Sequence, residues 1–198
     1  MKITRTGAIW LGVGLGLAVS ATAIYVFRKN IKNVARDIVN YVFSKEQEAF
    51  LKELHPDYQN KFRQFIADVE RNTGYKVLIT SGFRSFAKQA QLHLTDGGAS
   101  SGKSLHNYGL ATDLNLISKT GKPSLVKSSS DANWIKTGVV DIAKKYGLEW
   151  GGGGNFGSNH DPVHFQVDNL SVDKLYASAI KKFGSEKNVI GNQVPIAA

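Results

Sequence analysis

A domain of mixed helices and strands, preceded by one apolar N-terminal segment, is the fold class that these 198 residues predict. Three observations lead to it. The stretches LATDLNL, residues 110–116, and VHFQVD, residues 163–168, alternate apolar and polar side chains with the period of two that marks half-buried strands. Tyr58, Phe62, Phe65, Ile66 and Val69 recur instead at helical spacing, as do Ile135, Val139, Ile142, Ala143 and Tyr146 further on. Ahead of both kinds of pattern, Gly7 to Phe27 carries no charge over 21 residues.

Taken in order, residues 1–6 form a basic N-terminus and residues 7–27 a transmembrane or signal-anchor helix. At a rise of about 1.5 Å per residue that helix spans about 31 Å, matching a bilayer core of about 30 Å. Gly7, Gly12, Gly14, Gly16, Ser20 and Thr22 dilute its hydrophobicity. It is read as a permanent anchor, as a signal peptide cut after Ala21-Thr22-Ala23, or as a segment that inserts and later leaves the bilayer. Residues 28–43 are a basic connector, and the folded domain runs over residues 44–183. Within it, the compact run Lys76 to Ser81 reads as a strand stopped by Gly82, and Ser85 is placed to cap a helix through Gln91 or beyond. Loops follow at 96–103 and 118–130, both candidates to border a groove. The glycine run 151–154 lacks the Lys-Ser/Thr ending of a phosphate loop and is read as a close backbone approach or a turn. Val172, Leu175, Tyr176, Ala179, Ile180 and Phe183 mark the last helix, and residues 184–198 are expected to be a loosely ordered tail.

The hydrophobic fraction of 42% excludes disorder throughout. With no cysteine there is no disulfide and no thiolate metal site, so any bound metal must be held by histidines and carboxylates. His106, Asp113 and His164 are the candidates, with Asp161 beside them. The alternation places Asp113 and Asn115 opposite Leu114 and Leu116, and His164 and Gln166 opposite Phe165 and Val167. Two such strands in one sheet would therefore present Asp113 and His164 on a common polar face, with His106 brought back by a turn at Gly109. Three ligands of nitrogen or oxygen type, leaving one position open, are what a catalytic zinc ion needs. Arg84 lies at a strand-to-helix junction, where a side chain can project into a cleft.

The stretch SLHNYGLATD fits Ser-x-His-x-x-Gly-x-Ala-x-Asp. With GFRS before it and EWGG and DPVHFQ after it, the chain resembles the zinc peptidases of family M15 over roughly Ser44 to Phe183. That family includes phage and bacterial L-alanyl-D-glutamate endopeptidases, D-alanyl-D-alanine carboxypeptidases and the D-Ala-D-Ala dipeptidases of vancomycin resistance. The resemblance implies an α+β domain, with a small antiparallel sheet and flanking helices around a zinc cleft. It implies Zn2+ as cofactor, with His106, Asp113 and His164 as ligands, Asp161 as the acid/base and Arg84 as the residue that stabilises the transition state. The glycine run is longer than the usual pair, and Asn155-Phe156 occupies a region that often carries Trp; both changes bear on substrate fit.

Isolated histidines and aspartates on strands are usually surface residues, and isolated arginines usually pair with acids; the ordered set of three motifs favours a site here. For Asp161 the other reading is a carboxylate that orients a ligand. Gln89 is read either as a substrate contact or as a helix-surface or capping residue, while His55, His93 and His160 are expected at the surface. Trp134, Trp150 and Phe165 are expected as core or cleft walls.

The expected activity is hydrolysis of an amide bond in the peptidoglycan stem peptide, with the L-Ala-D-Glu bond favoured. The alternatives are a D-Ala-D-Ala carboxypeptidase and a non-catalytic zinc-stabilised cell-wall-binding domain. Six of the 25 basic residues fall in the first 36 positions, which hold no acid, whereas residues 45–183 hold 18 basic and 14 acidic residues. The excess charge is thus mainly juxtamembrane, suited to anionic lipid, and no aromatic-interleaved module points to nucleic acid. Lys2 and Arg5 precede the apolar segment, and Arg28, Lys29, Lys32 and Arg36 follow it. That balance would keep the domain in the cytoplasm, whereas wall chemistry requires the opposite. The expectation is a monomer, membrane-anchored or exported, facing the periplasm or cell wall, as in an endolysin.

Overall fold

The computed structural model describes residues 41–119, 123–156 and 160–196. The apolar segment 7–27 and the connector as far as residue 40 lie outside the described residues, and among the described residues no helix is long and apolar enough to cross a membrane. The chain divides between Val42 and Phe43, and the unit from Phe43 onward carries the fold described below.

Helix α1, Lys45–Glu53, begins at a reciprocal cap in which the Ser44 hydroxyl accepts from Gln47 N and the Gln47 side chain accepts from Ser44 N. No apolar periodicity announced this short helix. Helix α2, Pro56–Asn72, starts with proline at its first turn, where no amide donor is needed, and buries Phe62, Phe65, Ile66 and Val69. Strand β1, Tyr75–Ser81, leads through Gly82 to helix α3, Phe86–Asp96, which Ser85 caps by accepting from Lys88 N at 3.1 Å. A 3-10 turn at Leu105–Tyr108 precedes strand β2, Ala111–Ser118.

The single helix expected across residues 135–146 is instead two: α4, Asp131–Lys136, and α5, Val139–Lys145. Gly138, at φ 81°, breaks it. Strands β3, Leu148–Trp150, and β4, His164–Val167, follow, then helix α6, Val172–Phe183.

All strand pairs are antiparallel, in the order β1-β2-β4-β3. One face of the sheet is buried under the helices. Leu114, Leu116, Phe165 and Val167 point there, and Phe165 lies 5.2 Å from the Phe65 ring and 6.2 Å from that of Trp134. The other face is open at Leu78, Thr80 and Ile117, and the alternation places Asp113, Asn115, His164 and Gln166 on that side. The fold is thus α+β, with a small four-stranded antiparallel sheet and flanking helices.

The tail differs from its expected looseness. Residues Glu186–Asn188 and Gly191–Gln193 form 3-10 turns, Val194 is fully buried, and the His55 ring bonds the Val194 carbonyl at 3.1 Å. A single buried valine, His55 at the start of α2 and close backbone contact at Gly191 replace the helical periodicity that would have announced such order. His55 accordingly is buried rather than at the surface.

Candidate active site

Strand register explains why distant residues meet. Asp113 on β2 is the direct partner of His164 on β4, so their side chains leave the same face of adjacent strands. His106 arrives from the 3-10 turn before β2, where the Ser104 hydroxyl accepts from His106 N and Gly109, at φ 67°, reverses the chain. Hydrogen bonds stitch that turn to the segment that follows β1: Arg84 N donates to the His106 carbonyl at 3.0 Å, and the Asn107 side chain donates from Nδ2 to the Arg84 carbonyl at 3.0 Å.

The three side chains converge within hydrogen-bond distance of one another. His106 Nε2 is 3.1 Å from Asp113 Oδ1 and 3.1 Å from His164 Nδ1, which lies 3.0 Å from the same Asp113 oxygen. Their outer atoms are already engaged. His106 Nδ1 sits 2.6 Å from the Gly82 carbonyl oxygen, a partner that can only accept, so this nitrogen carries the ring proton. His164 Nε2 sits 3.0 Å from Gln166 Oε1, and that amide is oriented by donating from Nε2 to Glu149 Oε2 at 2.9 Å. Two imidazole lone pairs and a carboxylate oxygen are thereby turned on one point, a repulsive arrangement that a cation relieves. Tetrahedral ligands at about 2.0–2.1 Å from zinc stand about 3.3 Å apart, close to these separations. Donor type, spacing and oriented outer atoms all fit zinc.

Burial pulls the His106 proton affinity down, outweighing the neighbouring carboxylate, which favours the neutral, ligating ring. For Asp113, burial alone would raise the carboxyl, but the adjoining His106 and His164 rings, which donate to it and carry positive charge when protonated, outweigh that and hold the group well below the carboxylate range. Arg84 forms an ion pair with Asp113 Oδ2 and donates from Nε to Ser81 Oγ at 2.9 Å. Its guanidinium therefore holds the carboxylate so that Oδ1 faces the two rings.

Asp161 stands on the turn into β4, where its carbonyl accepts from His164 N at 3.0 Å. It lines the same cleft, of about 1010 Å³, as Arg84, His106, Asp113 and His164. Its buried Oδ1 has no hydrogen-bond partner. The glycine run lies directly against this turn: Gly151 N donates to the His164 carbonyl and Asp161 N to the Gly151 carbonyl, both at 2.9 Å. A Cβ at Gly151 would stand 2.4 Å from the Asp161 carbonyl oxygen, so only glycine allows the approach. Phe156 packs its ring 5.5 Å from that of His164, in the region where Trp was the more usual residue.

His160 is exposed and bonds Asp131 Oδ1 at 2.7 Å, while Asp131 Oδ2 accepts from Gly153 N at 2.9 Å. The His160 bond, with help from that of Gly153, keeps the Asp131 carboxyl below its ordinary range against the opposing effect of burial. Gln89 is buried, donates to the Ala99 carbonyl at 2.7 Å and leaves Oε1 without a partner. His93 is exposed, and Trp134, Trp150 and Phe165 are core. Sequence reasoning missed the Glu149 and Gln166 support of His164 and the clasp at Asp131. Gln166 had one signal, since the strand period puts it on the His164 face; Asp131 had none.

The fold and the clustered side chains define a class, a domain with a candidate metal site of two histidines and one aspartate on an antiparallel sheet. Residues 97–167, which hold all three of these side chains and Asp161, match the M15 peptidase family model described as D-alanyl-D-alanine carboxypeptidase. The chain is 41% identical over 96 residues to the peptidoglycan L-alanyl-D-glutamate endopeptidase CwlK of Bacillus subtilis; the match covers 41% of this chain and 55% of that relative's length. Among solved structures it is similar to the Serratia marcescens L-Ala D-Glu endopeptidase ChiX, at 22% identity and a TM-score of 0.47 over 65% of this chain and 92% of that one. It is similar also to the vancomycin resistance D,D-pentapeptidase VanY of the VanB-type cassette, at 17% identity and a TM-score of 0.42 over 63% of this chain and 78% of that one.

Proposed function

We propose that this domain is a zinc-dependent peptidase that hydrolyses an amide bond in the peptidoglycan stem peptide, the L-Ala-D-Glu bond being favoured by the likeness to CwlK. The observation that carries the reading is the convergence of His106 Nε2, His164 Nδ1 and Asp113 Oδ1 beneath an open cleft that Asp161 also lines. When bound by these three, zinc supplies a Lewis acid for the scissile carbonyl and a means of activating water at neutral pH. The Asp161 carboxylate takes the proton that the attacking water gives up and delivers it to the nitrogen of the leaving amine. Arg84 fixes Asp113 through Nη2, and its Nη1, engaged in neither of the guanidinium's two bonds, is left to stabilise the negative charge that develops on the carbonyl oxygen.

The family model's description supports a second reading, a D-Ala-D-Ala carboxypeptidase, which uses the same residues on a different bond. In either case the substrate places the domain outside the cytoplasm, exported or wall-associated, with residues 7–27 as its membrane tether or export signal. The test is digestion of purified peptidoglycan by zinc-loaded protein with and without a chelator. Chelator-sensitive release of soluble muropeptides supports the reading; a zinc-loaded protein that releases none overturns it.

A further inference from the structure

The cleft is lined by three permanently cationic side chains among the described residues, Arg84, Lys103 and Lys127. Two are committed. Arg84 is held by Asp113 and Ser81, and the Lys103 ammonium lies 2.6 Å from Asp173 Oδ1 and 4.8 Å from the centre of the Tyr176 ring. Lys127 differs. Its ammonium forms only a longer ion pair, 3.5 Å from Asp161 Oδ1, with no hydrogen bond between the two. Its side chain is 71% exposed.

The backbone beneath Lys127 is nevertheless fixed. Leu125 is buried and exchanges two backbone bonds with Leu116 of β2, at 2.8 and 3.0 Å. Beyond it, Val126 N donates to Ser129 Oγ and Ser129 N donates to the Val126 carbonyl. The lysine thus projects from a tight turn anchored on the strand that carries Asp113. A mobile charge on an anchored stem, beside the acid/base, is suited to meet an anionic group of the substrate close to the bond being cut.

We propose that Lys127 determines specificity by receiving a carboxylate on the carbon that bears the leaving nitrogen. The inference rests on the peptidase reading above. Asp161 must reach the leaving nitrogen, so a cation beside Asp161 stands next to the substituents of the adjoining carbon. In a stem peptide whose D-glutamate is linked onward through its γ-carboxyl, that carbon carries a free α-carboxylate. Amidation to D-isoglutamine removes the charge and keeps the shape.

The test compares L-Ala-γ-D-Glu-L-Lys with its D-isoglutamine counterpart, cleaved by zinc-loaded wild type, Lys127→Ala, Lys127→Arg and Lys127→Glu. Wild type is expected to prefer the free carboxylate by about tenfold in kcat/KM, the scale of one charge-assisted hydrogen bond. That preference should shrink as ionic strength rises. Lys127→Ala should abolish the preference, Lys127→Arg restore most of it and Lys127→Glu invert it. A ratio unchanged in Lys127→Ala, or both peptides slowed equally, overturns the role of Lys127 and leaves the peptidase reading intact. Failure of wild type to cleave either peptide, or purified peptidoglycan, overturns both.

Discussion

His106 Nε2 and His164 Nδ1 face each other across 3.1 Å, and the other nitrogen of each ring is already held by an oxygen, from the Gly82 carbonyl and the Gln166 amide respectively. Neither ring can turn away without leaving a buried polar atom unpaired. His106→Ala should therefore abolish stoichiometric zinc binding, measured as metal content after dialysis. Gln166→Leu keeps all three ligand atoms but frees the far side of the His164 ring, and should weaken zinc about 10- to 100-fold in a chelator competition. Unchanged affinity in Gln166→Leu would show that the outer bond does not orient the ligand.

Asp161 lies outside the three-residue cluster but on the turn into the same strand. Asp161→Ala should keep zinc at wild-type stoichiometry while kcat falls about 10²- to 10⁴-fold, the usual worth of general acid–base catalysis. A variant that digests peptidoglycan as fast as wild type would assign the proton transfer elsewhere.

Acid should destabilise the metal-free protein in two steps. Burial lowers the His106 proton affinity in the fold, so the unfolded chain binds the extra proton first, and stability falls as pH drops below about 6.5. Asp113 is depressed, so its contribution is present above about 3.9, the unfolded value, and is lost below it. Urea unfolding of chelated protein between pH 8 and 3 checks both steps, and His106→Gln should reduce the first. An upper step that persists undiminished in His106→Gln would belong to another group.

The C-terminal tail braces the His106 turn. A Cβ on Gly191 would stand 1.6 Å from the Asn107 carbonyl oxygen, so backbone must move to admit one. Gly191→Ala should cost about 1–3 kcal/mol, as overpacked sites do, and lower Tm by several degrees, with weaker zinc binding if the turn moves with it. A Tm equal to wild type would show that the tail yields without consequence.

The clustering of Asp113 and His164 was legible because it obeys short-range rules. Period-two alternation put Asp113 and His164 on one face of their strands, and the register of β2 on β4 then made them neighbours. The core side chains Phe62, Phe65, Ile66 and Val69 were legible for the same reason, since a stripe at helical spacing has to be covered. What stayed hidden depends on contacts far apart in sequence. The burial of His55 needs Val194, 139 residues away, and the orientation of His164 needs Glu149 acting through Gln166. Helix α1 is held by its cap and by Gln47 reaching Glu70 and the Val77 carbonyl, none of which leaves an apolar period to read. Arg84 was expected at the reaction centre, and the structure adds its ion pair with Asp113.

The most direct test of the central claim is mass spectrometry of the fragments that zinc-loaded protein releases from purified peptidoglycan, with Asp161→Ala and chelated protein as controls. The account predicts new stem-peptide termini at one amide bond, with D-glutamate exposed as the new amino terminus, and their absence from both controls. Loss of terminal D-alanine alone would move the activity to the carboxypeptidase reading. Peptidoglycan with no new termini after treatment with fully zinc-loaded protein would contradict the account.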